Sequence, residues 1–327
     1  MAELQFREAL RQAIDEEMAR DENVFIMGEE VSEYNGAYKV TEGLLETYGF
    51  KRVIDTPIAE LGFAGIGVGA AMNGLRPIIE FMTFNFAVLA ADQIINHASK
   101  VKYMLGGQVS VPIVFRGPNA SAGQLGATHS VAYESMYAHF PGIKVIHPSE
   151  PGDAKGLLKS AIRDNDTVLF MESEQMYGLK GEVNEDPEHL IPIGKAAVKR
   201  EGSDVTLVTH GKIYHTVVKA AAELAKEGIE AEIVDLRTVK PLDMDTVIAS
   251  VKKTHRCVVV DEAHPFAGTA AEVGYLLQRD AFDDLDAPVV RVTLPDVSAP
   301  FSKPLFDAWF PSVKDVVDGA KQVYYKS

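Results

Sequence analysis

Cysteine is nearly absent from this sequence, which contains a single residue of that type, Cys257. One cysteine excludes a disulfide framework and a cysteine-based metal site, and its apolar run Cys-Val-Val-Val is typical of a buried strand. Long hydrophobic runs are also missing, because glycine, asparagine or charge interrupts each run well short of the ~20 residues that span a membrane. The signatures Gly-x-x-x-x-Gly-Lys-Ser/Thr, His-Glu-x-x-His and Gly-x-Ser-x-Gly do not occur. The sequence therefore shows no familiar device for holding a nucleotide phosphate or activating a serine.

Basic residues are also scarce. The 327 residues include 32 Lys and Arg against 47 Asp and Glu, a formal net charge of -15. This charge disfavours nucleic acids and anionic membranes as partners and leaves a basic protein partner possible. The stretch 1–10 is charged and amphipathic, without a signal-peptide core or an Arg/Ser-rich transit character. We therefore expect a cytoplasmic protein, or a mitochondrial matrix protein if this is a mature eukaryotic chain.

Short apolar strands alternate with helical stretches along the chain, which predicts an α/β protein with parallel sheets covered on both faces. A polar, turn-rich stretch follows Lys180, and we interpret it as a linker between two α/β domains, 1–180 and 202–327, with the linker at 181–201. An opening helix containing Leu4, Leu10, Ile14 and Met18 is predicted. The other predicted strands lie at 24–28, 52–55, 76–82, 111–116, 144–147, 168–171, 205–211, 230–236 and 256–262, and the other helices at 87–103, 154–162, 216–226 and 244–253.

The most informative stretch is 56–71, in which Glu60 opens a segment built almost wholly of glycine, alanine and aliphatic residues. Such a segment predicts a buried helix that other backbone or a flat ligand can approach closely. Glu60 is either a helix-end charge favoured by the dipole or a carboxylate kept in a dry cleft for hydrogen bonding or proton transfer.

Two further clusters follow predicted strands. Residues 80–86, Glu-Phe-Met-Thr-Phe-Asn-Phe, place three aromatics at a strand end, where core packing is the commoner role and flat-ligand binding the alternative. Residues 116–130 form a long Gly/Ala/Ser loop that reaches His129, and long irregular loops of this kind are usually functional. A proton-transfer role and a structural role for His129 are both compatible with its position.

Several stretches together resemble one family, the beta subunits of thiamine diphosphate-dependent 2-oxo acid dehydrogenases, most closely those of pyruvate dehydrogenase. The matching stretches run in order along the whole chain: 28–31, 55–65, 80–86, 115–119, 153–157, 191–196 and 235–243. The resemblance implies a transketolase-like pyrimidine-binding domain followed by a transketolase C-terminal domain. It also implies that the cofactor diphosphate and its Mg²⁺ lie on a separate alpha subunit, in an alpha2-beta2 heterotetramer.

The resemblance assigns roles to individual residues. Glu60 would hydrogen-bond the far pyrimidine nitrogen of the cofactor, Phe86 would stack on that ring, and Met82 and Ile58 would line the pocket. Glu29 corresponds to an acidic residue between paired active sites. His129 corresponds to a histidine that handles protons near the substrate and the lipoyl arm, although Thr128 precedes it where many relatives have glutamine. A potassium site is implied at Ile113, Ala161, Ile162, Asp164 and Asp166.

The reaction implied by the resemblance is oxidative decarboxylation of pyruvate, with the acetyl group passed to lipoyl-lysine on a dihydrolipoyl acyltransferase core. Beta subunits of branched-chain 2-oxo acid and acetoin dehydrogenases are alternatives within the class, and a non-catalytic docking subunit is the alternative outside it. The acyltransferase core would dock on the C-terminal domain, and the acidic stretch with Asp280, Asp283, Asp284 and Asp286 suits a basic partner.

Overall fold

The computed structural model describes residues 1–325, which divide into two compact units. The first unit comprises Met1–Asn119 and Met136–Ile193, and the second comprises Ala120–Ser135 with the residues from Gly194 onward. The short stretch Ala120–Ser135, which carries His129, therefore packs with the second half of the chain.

The first unit contains a parallel sheet of buried strands. Six of its strands follow the order β6-β7-β5-β4-β2-β3, and all of these pairings are parallel. The strand Val24–Gly28 is buried at every position, as a strand covered on both faces requires. Two further strands, β1 and β8, pair antiparallel. The strands are β1 (Ala2–Gln5), β2 (Val24–Gly28), β3 (Val53–Asp55), β4 (Arg76–Glu80), β5 (Val114–Pro118), β6 (Ile143–Ile146), β7 (Thr167–Glu172) and β8 (Lys180–Val183).

Helices cover this sheet because their apolar residues recur at helical spacing. Leu10 and Ile14 of the first helix lie in one core cluster with Leu158 and Ile162 of the seventh. Pro151 opens the seventh helix, where its missing N–H costs nothing. The helices are α1 (Phe6–Arg20), α2 (Leu44–Tyr48), α3 (Glu60–Met72), α4 (Phe84–Ala87), α5 (Val101–Met104), α6 (Glu134–Ala138) and α7 (Pro151–Arg163), with 3-10 turns at Val88–Ala90, Ala127–His129 and Glu174–Met176 and a π-helix at Gln93–Ala98.

The second unit contains a five-stranded sheet in the order β14-β13-β10-β11-β9, in which only β9 is antiparallel to its neighbour. Successive residues Leu207 and Val208 lie in different core clusters, one on each face. Its strands are β9 (Ala197–Arg200), β10 (Val205–Thr209), β11 (Ala231–Asp235), β12 (Thr238–Lys240), β13 (Cys257–Val260) and β14 (Val290–Val292). Its helices are α8 (Tyr214–Lys226), α9 (Met244–Thr254), α10 (Thr269–Asp280), α11 (Lys303–Trp309) and α12 (Val313–Tyr324), with 3-10 turns at Gly211–Ile213 and Phe282–Asp284.

Two predicted elements differ from the structure. Leu4 lies in strand β1, and the opening helix begins two residues later at Phe6, where Gln5 and Glu8 form a capping box. The helix predicted over 87–103 is a series of short helical pieces instead of one helix. Ser99 N donates to Ile94 O at 3.1 Å, the wide spacing of a π-helix, and Ser99 Oγ donates to Ile95 O at 2.6 Å. These bonds widen the turn, and the apolar periodicity alone does not reveal them.

Among the residues from Met1 to Tyr325, no helix is both long enough and apolar enough to cross a membrane.

Candidate functional site

Glu60 is the first residue of α3 and is only 5% exposed. The first turn of a helix has N–H groups without intrahelical partners, so that the dipole there favours a carboxylate. Ile58, two residues earlier, is 83% exposed. A charge that only caps a helix end usually faces solvent. Here the acid is buried, and an aliphatic side chain two residues away in the sequence is exposed instead.

Glu29 lies beside Glu60 in the first unit, and we call these two residues the acid pair. Strand β2 ends at Gly28, so Glu29 is the first residue beyond the carboxyl end of that strand, and its side chain is buried. Its Oε1 atom has no hydrogen-bond partner among the described residues. Burial first, and the negative charge of Glu60 second, raise the pKa of Glu29 to about 7.

The backbone at Gly28 brings the neighbouring strand very close. A Cβ atom added to Gly28 would lie 2.5 Å from the carbonyl oxygen of Glu80 on β4, so a side chain is excluded there. Gly28 and Glu80 are also register partners in the parallel sheet. The segment that follows Glu80 therefore leaves the sheet at the same edge as the acid pair.

The aromatic cluster after β4 divides between core and surface. Phe81 and Phe84 are fully buried, and Phe81 stacks on Phe115 with ring centroids 5.8 Å apart. Phe86 is 36% exposed on the short helix α4, while Met82 is half-buried. Core packing, the commoner role expected for this cluster, is confirmed for Phe81 and Phe84 and does not explain Phe86.

These residues fit the pyrimidine part of thiamine diphosphate. The ring needs a carboxylic group at one nitrogen and an apolar or aromatic surface on its face, and the unit supplies a buried acid pair together with partly exposed Phe86 and exposed Ile58. A carboxyl that can hold a proton near neutral pH is available at Glu29, because burial and, second, the charge of Glu60 raise its pKa to about 7.

His129 belongs to the second unit, where it ends the 3-10 turn Ala127–His129. Its backbone N–H donates to Gly126 O at 3.2 Å, and its ring atom Nδ1 lies 3.0 Å from the Thr128 hydroxyl. The hydroxyl of Thr128 therefore contacts the imidazole directly. The side chain is partly exposed, as proton exchange with a ligand requires.

A buried ion-pair network links three neighbouring strands of the first unit. Arg116 on β5 is 1% exposed and pairs with Glu80 on β4 and with Glu172 on β7, where the Nη2–Oε2 distance is 2.5 Å. Tyr177 donates to the same Glu172 oxygen at 2.7 Å. Sequence reasoning missed this network, although Glu80 and Glu172 end β4 and β7, and parallel strands end at one edge of a sheet.

A second charged group surrounds His210 in the second unit. His210 Nε2 lies 3.5 Å from Asp261 Oδ1, and one ligand atom each of Glu134, His210 and Asp261 lies within 4.8 Å of the others, all buried. Burial opposes a charge on His210, but the nearby carboxylate of Asp261 and the charges of Glu134 and Asp235 outweigh it and raise its pKa. A protonated His210 can therefore supply the positive charge that these carboxylates need.

The residues implied for potassium are already engaged by cationic side chains. Lys144 Nζ donates to both oxygens of Asp164 at 2.8 and 2.6 Å, and Lys102 Nζ donates to Asp166 Oδ1 at 2.5 Å. Arg76 donates to the Ile162 carbonyl at 2.9 Å and to the Asp164 carbonyl at 2.5 Å.

The remaining two carbonyls of this set accept backbone bonds. The Ile113 carbonyl accepts from Val168 N and the Ala161 carbonyl from Asp164 N. A carbonyl that accepts one hydrogen bond keeps a second lone pair, so these bonds alone do not exclude a metal ion. The charges around the site decide whether a cation can bind there. Two carboxylates face three cationic side chains, and an added cation would be repelled. This donor set does not fit a bound potassium ion.

Comparison with known proteins agrees with this fold. The family described as "Transketolase, pyrimidine binding domain" matches residues 2–180, and "Transketolase, C-terminal domain" matches residues 194–316. A solved structure titled "Split gene transketolase, inactive beta4 tetramer" has a TM-score of 0.81 at 22% identity and covers 98% of both chains. The fold predicted from the sequence, a transketolase-like pyrimidine-binding domain with a transketolase C-terminal domain, is confirmed.

Curated relatives narrow the class. "Pyruvate dehydrogenase E1 component subunit beta" of Rhizobium meliloti is 53% identical over 326 residues, covering 100% of this chain and 71% of the relative. The protein of the same name in Rickettsia felis is 53% identical and covers 98% of each chain. The mitochondrial protein of Drosophila melanogaster is 53% identical, covering 97% of this chain and 88% of the relative. This transketolase-like chain belongs to the family of pyruvate dehydrogenase E1 component beta subunits, which confirms the resemblance.

The acid pair predicts a dependence of stability on pH. Since the pKa of Glu29 is about 7 in the folded chain and 4.5 ordinarily, the folded chain holds a proton there that the unfolded chain has lost. Stability therefore falls as pH rises from 4.5 to 7, by at most ~1.4 kcal/mol per pH unit for one group. Glu29→Gln should remove this loss in urea unfolding of the isolated chain, whereas Glu33→Gln, at an exposed carboxylate, should keep it. Equal pH slopes for wild type and Glu29→Gln would contradict the assignment.

The engaged donors predict indifference to potassium. Replacing potassium by choline should leave the thermal unfolding temperature of the wild type unchanged, because Lys102 and Lys144 already neutralise Asp166 and Asp164. Lys102→Met removes one of these cations and should make the unfolding temperature rise with added potassium. The control is Lys100→Met, which removes a lysine that donates to Asn96. A wild type that potassium stabilises by several degrees would show that the ion binds despite these lysines.

Proposed function

We propose that this chain is the beta half of a thiamine diphosphate-dependent enzyme that oxidatively decarboxylates pyruvate and transfers the acetyl group to lipoyl-lysine of a dihydrolipoyl acyltransferase. The observations that support this most are the buried acid pair, of which Glu60 begins α3, and the exposure of Ile58 and, in part, of Phe86 in the same unit of a chain that belongs to this family. A docking subunit has no use for such a pair, since burying two carboxylates without counter-charge destabilises the fold.

The residues of the first unit hold the cofactor ring and its proton. When bound, thiamine diphosphate supplies a nucleophilic carbon that adds to the keto carbon of a 2-oxo acid. Glu60 would hydrogen-bond the far pyrimidine nitrogen, and Phe86, Met82 and Ile58 would pack against the ring and exclude water. Glu29, with a pKa of about 7, would take up and release a proton beside Glu60 at neutral pH.

The remaining roles belong to other parts of the assembly. His129 moves a proton near the substrate and the lipoyl arm, for which a partly exposed imidazole is suited. The diphosphate and its Mg²⁺ lie on the alpha subunit, since the present sequence has no phosphate-loop motif.

Helix α3 supports the proposed partner. Gly67 has a packing role within the chain, because an added Cβ would lie 2.6 Å from the Ile79 side chain, which would have to shift. An added Cβ at Gly69 meets nothing within 4 Å in the described residues outside its own helix, yet glycine in a helix costs ~1 kcal/mol relative to alanine. Leu61 and Ile66, on the same helix, are 51% and 63% exposed. This apolar, small-residue face suits close approach by a second chain.

The acidic stretch offers weaker support for acyltransferase docking. Asp280 pairs with Arg279 at 2.6 Å, Asp284 with Lys252 at 3.7 Å and Asp286 with Arg256 at 3.2 Å. Of the four aspartates, only Asp283 forms no ion pair with another of the described residues. The net charge of -15 therefore supports a basic partner more strongly than this stretch does.

Glu60 provides the direct test of the catalytic proposal. Glu60→Gln in the enzyme assembled with an alpha subunit should lower turnover of pyruvate by about 10²–10⁴-fold, because an amide cannot hold the carboxyl proton. Assembly and the thermal unfolding temperature should not change. Glu46→Gln, at an exposed position on α2, is the matched control. Turnover near the wild-type rate in Glu60→Gln would leave Glu60 as a helix-end charge.

A substitution at Gly69 tests whether the exposed face of α3 contacts the alpha subunit, because it should raise the stability of the chain and weaken assembly. Gly69→Ala should stabilise the isolated chain by up to ~1 kcal/mol through helix propensity, and it should weaken association with the alpha subunit because the added methyl prevents close approach. Urea unfolding and analytical ultracentrifugation measure the two effects. Gly274→Ala, on α10 with similar free space, should stabilise the chain without weakening assembly. A Gly69→Ala chain that assembles as tightly as wild type would exclude this face as the contact.

A further inference from the structure

The loop that carries His129 has little means of fixing its own shape. Residues 120–131 include Gly123 and Gly126, both with positive φ, and most of the stretch from Ala122 to Thr128 is partly or fully exposed. Ala120 N donates to Val131 O at 3.2 Å, which brings the two ends together as in an Ω-loop. A loop of this composition loses much conformational entropy on ordering and packs few apolar contacts to offset that loss.

The start of the loop is held by a buried charged pair. Glu262 Oε1 accepts from Ser121 N at 2.9 Å and from Ser121 Oγ at 2.5 Å. Lys212 Nζ donates to Ser121 O at 2.9 Å and lies 2.9 Å from the same Glu262 oxygen. Ser121 is 1% and Glu262 4% exposed. Hydrogen bonds to charged groups in such surroundings are stronger than neutral ones.

The end of the loop is held by residues that follow strands β10 and β13, the strands that also precede Lys212 and Glu262. Glu134, three residues beyond the loop, is buried beside His210 and Asp261. His210 directly follows β10 and Asp261 directly follows β13. These strands are parallel neighbours in register, so both carry their next residues to one edge of the sheet. Strand β10 is thus followed by Lys212 at the start of the loop and by His210 at its end. Strand β13 is followed by Glu262 at the start and by Asp261 at the end.

We propose that Ser121, Lys212 and Glu262 at the start, with Glu134, His210 and Asp261 at the end, form a loop clamp that positions His129 for proton transfer. This inference depends on the proposed function for the role of His129. The six residues are positioning residues, since none of them is assigned a contact with substrate. The clamp makes the second unit a determinant of the acetyl-transfer step, because a misplacement of ~1 Å can cost about 100-fold in rate.

Glu262→Gln is the variant that tests the clamp, because it removes a charge and keeps the shape of the side chain. In the enzyme assembled with its alpha subunit, we expect faster amide hydrogen exchange in residues 120–131 and unchanged exchange in β10 and β13. Acetyl transfer to a lipoyl domain should fall about 10- to 100-fold. Lys212→Met should behave in the same way, Lys212→Arg should restore most of the rate, and Glu223→Gln, at an exposed Lys226 pair, should have no effect.

A double-mutant cycle separates positioning from a general structural role. If Glu262 acts through His129, Glu262→Gln should cause little further loss of acetyl transfer in the His129→Ala background. The same fold loss in both backgrounds, or unchanged hydrogen exchange in Glu262→Gln, would overturn the clamp. A wild-type enzyme without activity on pyruvate would overturn the proposed function. Hydrogen exchange needs no turnover, so it would still decide whether the clamp holds the loop.

Discussion

The buried pairing of Arg116 with Glu80 and Glu172 organises the first unit. Glu80 and Glu172 end strands β4 and β7, and Arg116 lies within β5, the strand between them. Removing one partner of such a buried pair typically costs ~3–5 kcal/mol, because the other charge remains buried. The segment with Met82 and Phe86 leaves the sheet directly after Glu80, so its position depends on this pairing.

The same constraint of parallel strands operates in both units. In a parallel sheet every strand ends at one edge, and the residues just beyond that edge meet without being close in the sequence. In the first unit this brings Glu29 to the edge beside Glu80. In the second unit it brings Lys212 and Glu262 to the start of the loop that carries His129. Both groups of residues are therefore brought together by strand order and not by a local sequence motif.

Local patterns were sufficient for most of the fold and for part of the site. Buried apolar runs such as Val24–Gly28 predicted strands, and the smooth segment after Glu60 predicted helix α3. The π-helix at Gln93–Ala98 was not predictable, because it depends on the hydrogen bonds of Ser99. The clamp at Ser121 was not predictable either, since it joins residues 141 positions apart. Lys102 at Asp166 likewise depends on a contact 64 residues apart along the chain.

Helix α3 combines a buried first residue with an exposed outer face. Glu60 is 5% exposed, whereas Leu61 and Ile66 are uncovered in the isolated chain. Under the proposed function, a second chain packed on that outer face would exclude water from Glu60 as well, and exclusion of water would strengthen the electrostatic interaction between Glu29 and Glu60. Assembly and proton transfer would then be coupled, because the face proposed to bind a partner is the outer side of the helix that carries the acid.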